Sequence, residues 1–552
     1  MSVEWADSLQ RRMHGDVTTK KDVLKDRSRD WSIFEVQPAA VAFPDNVDDV
    51  KEIVAFVNEH KDDIPSLSVT PRAAGTGMSG GSLTESLMVD FSHLDHIGPI
   101  TDDSGVAQPG TYFRDFDEQT REQGTMFPSY PSSKDICAIG GMVANNCGGE
   151  KSLRYGKTKD LVKRINMITA DGSEIEVTPI SAETLEQKKQ QDDFEGELYR
   201  ELHRIVEENK ELIEAHKPTV SKNSTGYNLW DVWDGETFDM TKLITGSQGT
   251  LGVITETELE LVPVQDHSAT VVAFVEELTQ MVELVNAVLE YDPECLEAFD
   301  RKTLDLILEN LDEVADDMGM SKMEMLRESK DEVDMFLEHG IPEFIVMVRL
   351  ADSDADAVRE KQQAVHDELD KHDLPNLALD DERAEKYWWG RRNSFKLLSE
   401  KMGGGVASPF IDDTCVAPEE MPEFLPKLYE TLERYGIEPT LAGHAGSGNF
   451  HIIPVMDLES DEDRNKIPKV MDEIHELVIE HGGQTSAEHN DGLLRTMYVE
   501  DQYGSEMYEL FREVKRLFDP RGIFNPGKIV DGDRHYSFSH MKHDNLKGGE
   551  FH

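Results

Sequence analysis

Cysteine, positive charge and long apolar runs are what these 552 residues have least of. The four cysteines, Cys137, Cys147, Cys295 and Cys415, show no C-x-x-C spacing. That argues against an iron–sulfur cluster, a structural zinc or a disulfide framework within this chain. Lysine and arginine together number 56 against 111 aspartates and glutamates, a formal net charge of −55. Nucleic acid is therefore not an expected partner, since phosphates would be repelled. No window approaches ~18 apolar residues, so no transmembrane segment is expected. The start, Met-Ser-Val-Glu-Trp-Ala-Asp, lacks a basic region followed by an apolar one, which reads as no signal peptide and a cytoplasmic location. No long Gly/Ser/Pro linker interrupts the chain, so its domains are expected to share an interface.

What is there is a folded, acid-coated protein. Hydrophobic residues make up 38% of the chain, and they recur periodically, unlike those of a disordered acidic segment. Self-repulsion on this scale is relieved by salt, and the chain reads as halophilic. Val47, Val50, Ile53, Val54 and Val57 fall at helical spacing behind Asp45 and Asn46, which can cap the helix. Short strands are expected over 66–70 and 87–91, and a hairpin over 165–169 and 173–177 around Ala170-Asp171-Gly172. The polar stretch 183–214 reads as a helical excursion on the surface. After Pro263, strands over 269–275 and 344–350 each precede a helix, which predicts a second α+β domain with a sheet covered on one face. Between them, 304–339 is charged, Met-rich and helical in period, and its Met318, Met320, Met323 and Met325 read as helix packing. The last dozen residues read as a frayed tail.

Three glycine-rich segments point to a large phosphate-bearing cofactor. Gly75-Thr76-Gly77-Met78-Ser79-Gly80 matches G-x-G-x-x-G, but only 81–86 separate it from the next strand, too few for the helix a Rossmann site requires. Its amides are instead expected to converge as an anion nest, with Arg72 adding charge. The second segment runs from Ser132-Ser133 to Gly140-Gly141-Met142-Val143-Ala144-Asn145-Asn146-Cys147-Gly148-Gly149. The third is Gly246-Ser247-Gln248-Gly249-Thr250-Leu251-Gly252-Val253-Ile254.

In motif order from about residue 36 to 530, these segments together with Pro71-Arg72 and the run from Asp519 through Asn525 to Lys528 resemble the FAD-linked oxidases of the vanillyl-alcohol-oxidase/p-cresol-methylhydroxylase superfamily. Within it the chain is similar to D-lactate, D-2-hydroxyglutarate and glycolate dehydrogenases. The resemblance implies an α+β fold: an FAD-binding domain of two subdomains over 1–265 (core 36–265) and an α+β cap over 266–510. A segment over 511–535 would return to the FAD domain, ahead of a tail over 536–552. Ala73 and Ala74 stand where the family often has glycine. Thr76 stands where relatives with covalently attached flavin carry histidine, so FAD is expected to be bound noncovalently.

Nearer the carboxyl end, Gly443-His444-Ala445-Gly446-Ser447-Gly448-Asn449-Phe450-His451 and Glu488-His489 gather metal-ligating and proton-moving residue types. Gly446 and Gly448 allow His444 to fold back across a turn towards His451, while Asn449, His451, Ile453 and Val455 read as one strand face. Two histidines and the Glu488 carboxylate suit a divalent zinc, manganese or iron(II). Such a cation would chelate a substrate hydroxyl and carboxylate, leaving His489 as general base. Ser447 replaces the usual aspartate of this motif, and Asn490-Asp491 a common Gly-hydrophobic pair. Trp388-Trp389-Gly390-Arg391-Arg392-Asn393-Ser394-Phe395 resembles the family segment whose arginine clamps the substrate carboxylate. Alignment by the tryptophans favours Arg391, with Arg392 the alternative. Phe395 and Lys396 differ from relatives that read a second carboxylate, which tilts the expected substrate from 2-hydroxyglutarate towards D-lactate or glycolate. The expected partners are a small 2-hydroxy acid, an iron–sulfur or quinone electron acceptor, and a second copy of the chain in a homodimer. The rival readings are a flavoprotein subunit that needs an iron–sulfur partner and a noncatalytic binding protein on the same scaffold.

Overall fold

The computed structural model describes residues 4–401 and 405–545. Among these, three sheets of four or more strands organise the fold. The first runs in the order Asp16–Thr18, Ala40–Phe43, Leu87–Asp90, Val69–Arg72, and its last three strands are parallel. Parallel neighbours need a crossover, and the helix Val47–His60 supplies it. Its N-cap is Asn46, whose side chain accepts from Asp49 N at 3.0 Å, and Val50, Ile53, Val54 and Val57 are its buried face. The strand expected over 66–70 is shifted to Val69–Arg72 and includes Pro71. It stands at the edge of its sheet, where a missing N–H is tolerated. The carboxyl-terminal segment closes that edge, with Val69 N donating to Ile523 O at 2.7 Å and Asn525 N to Val69 O at 2.8 Å.

A five-stranded antiparallel sheet follows, in the order Ile97–Ile100, Ser104–Ala107, Val253–Glu260, Val162–Ile168, Glu174–Val177. Its Val162–Ile168/Glu174–Val177 hairpin turns at Asp171-Gly172, with Asp171 Oδ1 accepting from Ser173 N at 3.0 Å. The polar stretch after it forms the helices Ala182–Lys188, Phe194–Glu208 and Lys210–Ala215. These are more than a surface excursion, because Leu198, Tyr199, Leu202 and Ile205 are buried in the core beneath that sheet.

The third sheet has seven antiparallel strands in the order Asn376–Asp380, His267–Val275, Phe344–Asp352, Cys295–Asp300, Thr440–His444, Asn449–Ile453, Thr414–Cys415. One face carries the helices Leu278–Leu289, Ala355–Lys371, Met421–Arg434 and Asp461–Glu480 over an aliphatic core. The other face is covered too, where one-sided coverage was expected, by four short helices over 301–339 and by Asp381–Lys401. Met325 is buried in that second layer and Met318 and Met320 pack on it, whereas Met323 is 77% exposed. The tail is docked further than expected. Met541 and Lys542 are buried, and Lys542 Nζ donates to Ser32 O at 2.6 Å. Residues 546–552 lie outside the described residues. Among the described residues no helix is long and apolar enough to cross a membrane.

Candidate active site

One cavity of about 460 Å³ lies where the glycine loops face the seven-stranded sheet. Gly75, Thr76, Gly77, Met78, Ser79, Ser132, Ser133, Gly140, Gly141, Ala144, Asn145, Gly249 and Ile254 line it, together with Arg391, His451, Glu488 and His489. All three glycine segments thus share one space with Arg391, His451, Glu488 and His489. Residues 73–86 contain no helix, so the loop is not a Rossmann turn. Gly75 turns with φ +72°, and a Cβ there would strike the Arg72 guanidinium 2.1 Å away. Arg72 is therefore not at the cavity wall: it is buried beneath the loop, donating to Arg29 O at 3.0 Å, with Nη1 unpaired among the described residues. Small residues also keep the wall open, since a Cβ at Gly77 or Gly141 would meet nothing nearer than 3.6 Å. A flat cofactor fits the space that these small residues leave open.

Other expected cofactor residues act one layer back. Gly148 admits Glu488, whose Oε1 would lie 2.9 Å from a Cβ, and Gly149 packs on the Tyr130 carbonyl. Gly80 faces Phe34 and Leu493, Gly246 faces Asn146, and Gly252 sits against Met167. Thr250 donates to Ser247 O, and Val253 is in the core. Asn525 Nδ2 bridges two of the loops, donating to Gly81 O at 2.9 Å and Gln248 O at 2.7 Å. Trp31, Ile136 and Asp412 line the cavity without having been picked out from the sequence, and Cys147 and Gln248 line it from within two of the glycine segments.

The metal-type donors come from a hairpin. Thr440–His444 pairs with Asn449–Ile453 through a 3₁₀ turn, placing His444 opposite Asn449 and His451 opposite Ala442. Gly448 has φ +65°, and a Cβ there would sit 1.8 Å from Val416 O, so no other residue fits. His451 Nε2 lies 3.4 Å from His444 Nε2, and His444 Nε2 lies 3.3 Å from Glu488 Oε1. The donor atoms of these three residues are all within 4.8 Å of one another. Each histidine's far nitrogen is held by a buried carboxylate, His444 Nδ1 by Glu297 Oε1 at 2.7 Å and His451 Nδ1 by Asp412 Oδ1 at 3.0 Å. That pattern fixes the tautomer with Nε2 free to ligate, and the set suits a divalent cation. Burial pushes the His451 imidazole below its ordinary range. Burial also acts downward on His444, but Glu297 and Glu488 together outweigh it and the group is raised. Glu488 would be raised by burial, yet Lys222 and then His444 hold it well below the usual carboxylate range.

His489 stacks on His451 with ring centroids 5.2 Å apart and 16° between planes, and its Nδ1 lies 2.8 Å from Asp412 Oδ2, off the hydrogen-bond axis. Burial opposes its charge, but Asp413 and Asp412 raise the imidazole to about 9. The turn that presents Glu488 and His489 is fixed by Asp413, whose Oδ2 accepts from Ser486 Oγ at 2.7 Å, Ala487 N at 3.0 Å, Glu488 N at 2.9 Å and His489 N at 2.7 Å. Asn490 follows at φ +66°, which asparagine tolerates, and its Nδ2 donates to Gly246 O at 2.7 Å. Asp491 Oδ2 accepts from Gly226 N at 2.9 Å. The pair standing in for Gly-hydrophobic thus stitches this turn to the cofactor side. Ser447 Oγ, at the usual aspartate position, is buried and unpaired among the described residues.

Lys222 reaches the site from the other side, its Nζ paired with Glu488 Oε1 and 3.5 Å from Asn449 Oδ1. Arg391 Nε lies 2.9 Å from Glu297 Oε2, again off axis, and its buried Nη2 has no partner among the described residues. Arg392 is taken up by Glu150, to which Nε and Nη2 donate at 3.0 and 2.9 Å. The Phe395 and Lys396 side chains lie outside the described residues.

This fold and cavity define a flavin-type architecture. Residues 38–178 match the FAD binding domain model and residues 264–529 the C-terminal domain of FAD linked oxidases. The chain belongs to the FAD-linked oxidase family. It is 27% identical over 515 residues to the D-2-hydroxyglutarate dehydrogenase of Pseudomonas putida, covering 91% of this chain and 49% of that protein. It therefore spans about half the length of that relative. The glycolate oxidase subunit GlcD of Bacillus subtilis is 26% identical, with 91% of this chain and 90% of that one covered. The D-lactate dehydrogenase of Archaeoglobus fulgidus is 26% identical, with 89% and 91% covered. Among solved structures, p-cresol methylhydroxylase with substrate bound superposes with a TM-score of 0.67 at 15% identity, covering 96% of each chain, and shares the fold.

Proposed function

We propose that this chain oxidises a D-2-hydroxy acid, D-lactate in preference, to the 2-oxo acid, using noncovalent FAD and a divalent zinc, manganese or iron held by His444, His451 and Glu488. The observation that carries the reading is that His451, Glu488, His489 and Arg391 line the cavity the glycine loops enclose, with His444 completing the donor set just behind His451 and Glu488. The D-lactate dehydrogenase relative supports the substrate. When bound, the cation polarises the substrate hydroxyl and the flavin accepts the hydride. Arg391 holds the substrate carboxylate through the guanidinium edge that Glu297 leaves free; Arg392 is already bidentate with Glu150. His489 takes the hydroxyl proton at Nε2, and Asp412 keeps Nδ1 turned away from the substrate. Positive charge beside the stacked His451–His489 pair would lower the raised His489 imidazole towards working range. The division into an FAD-binding part over 1–265, a cap over 266–510 and a returning segment over 511–535 belongs to the same proposal.

A second reading has its own support. The chain covers 90% of a protein named as a subunit of glycolate oxidase, so this one could equally serve as the glycolate- or D-2-hydroxyglutarate-oxidising flavoprotein of an iron–sulfur-containing complex. Anaerobic mixing with D- and L-2-hydroxy acids, following flavin bleaching, tests both. Only D acids, or glycolate, should bleach it, and a chelator should stop it. His489→Ala should keep flavin and metal yet slow bleaching by roughly 10²–10⁴-fold. Full-rate bleaching by metal-free protein, or by the His489 variant, refutes the mechanism.

A further inference from the structure

We propose that Glu297 is a positioning residue that ties the cation site to the carboxylate-binding arginine and so sets the spacing between the two points where substrate is held. The inference rests on the functional reading above. Glu297 lies in mid-strand within Cys295–Asp300 and is 1% exposed. Cys295 and Phe299, two residues either side on the same strand face, belong to the apolar layer around Trp388. A carboxylate buried there is costly unless it is paired. It has two partners, one per oxygen. Oε1 meets His444 Nδ1 at 2.7 Å and Oε2 lies 2.9 Å from Arg391 Nε. Those partners are the two groups that address the substrate from different elements, a hairpin histidine and a helix arginine. His444 Nε2 lies against His451 and Glu488, and Arg391 lines the cavity.

One rigid carboxylate therefore fixes the distance from the cation's ligands to the guanidinium. A molecule with its hydroxyl on the carbon next to the carboxylate can meet both points; a 3-hydroxy acid has its oxygens one carbon further apart. Glu297 thus acts as the ruler for adjacent hydroxyl and carboxylate groups. Arg392, one residue on, is kept out of this arrangement by Glu150.

Glu297→Gln and Glu297→Asp test this in the flavin-loaded protein. The first keeps the shape but must turn an NH₂ towards one of two donors. The second keeps the charge but cannot reach both. Three quantities are read: metal retained after gel filtration, by elemental analysis; KM and kcat separately for the D-2-hydroxy acid that bleaches wild type; and the rate ratio of that acid to its 3-hydroxy isomer. At least one variant should hold metal about 10–100-fold more weakly. In both, KM should rise more than kcat falls, and the acid-to-isomer ratio should shrink. Flavin content and melting temperature report the fold. Variants that melt lower yet keep wild-type metal retention, KM and ratio would show a merely structural carboxylate and overturn the proposal. If wild type bleaches with no 2-hydroxy acid, the functional reading fails instead, and unchanged metal retention in both variants still overturns the tie to His444.

Discussion

Replacing Asp413 separates the scaffold of the turn that presents Glu488 and His489 from the chemistry proposed for it. Its Oδ2 accepts from Ser486 Oγ and the amides of Ala487, Glu488 and His489, and the side chain is fully buried. Hydrogen bonds to a charged acceptor contribute about 1.5–3 kcal/mol each, and a buried donor left alone costs about 1–3 kcal/mol. In Asp413→Ala the Ser486 hydroxyl can turn elsewhere, and the Ala487 amide keeps the Asp413 carbonyl, 2.9 Å away. Two amides remain stranded, a loss of about 2–6 kcal/mol. Alanine also bears some strain at the φ of +72° found here, which asparagine tolerates better. Asp413→Asn is thus the cleaner probe. It keeps an oxygen for the amides, loses the charge, and turns its NH₂ towards the Glu488 amide and Asn449 Nδ2, both donors. A loss of about 1–3 kcal/mol follows, with weaker metal retention because Glu488 is no longer fixed. Urea unfolding in molar KCl, paired with elemental analysis of the gel-filtered protein, reads both. An Asn variant with wild-type midpoint and metal content would refute the reasoning.

Acid precipitation should release the flavin into the supernatant, because Thr76 at the loop offers no imidazole to link it; colour in the pellet would refute noncovalent binding. At net charge −55 the protein should unfold at lower urea and lose turnover in dilute buffer, and full stability there would count against the salt requirement. His475 is buried against Tyr498, and burial, then Arg495 and Arg534, depress it to about 3. The unfolded chain binds this proton near pH 6.5 and the folded one does not. The group's stabilising effect is therefore complete above that pH and falls by about 1.4 kcal/mol per pH unit below it, down to about pH 3. His475→Phe should flatten the loss of stability between pH 6.5 and 4.5, and an unchanged slope would remove His475 from the account.

Short-range features were legible in the sequence because their causes are short-range. Asn46 caps three residues away, the turn at Asp171-Gly172 joins adjacent strands, and His444 and His451 meet across a hairpin glycine. The cofactor loops were legible as a set, although Arg72, Gly246 and Asn525 brace the wall rather than form it. The groups that fix the chemistry were not found. Asp412, Asp413 and Glu297 are three among 111 acidic residues, and only tertiary burial distinguishes them. A charged residue in mid-strand, Cys-Leu-Glu-Ala-Phe-Asp, was the available signal for Glu297. For Lys222 it was a lysine in a run of small polar residues, Ser-Lys-Asn-Ser-Thr-Gly, in a chain where acidic residues outnumber basic ones, 111 to 56.

Lys157 and Lys222 cross from the residues around the glycine loops to the turn bearing Glu488 and His489, one onto the Ala487 carbonyl and the other onto the Glu488 carboxylate. The candidate site is accordingly a seam, held from both sides. For chimeras the consequence is direct. On the proposed division and function, residues 266–510 transplanted from another oxidase would arrive with their hairpin and arginine but meet foreign fasteners, so substrate preference would travel only if positions 157 and 222 and their supporting loops moved too.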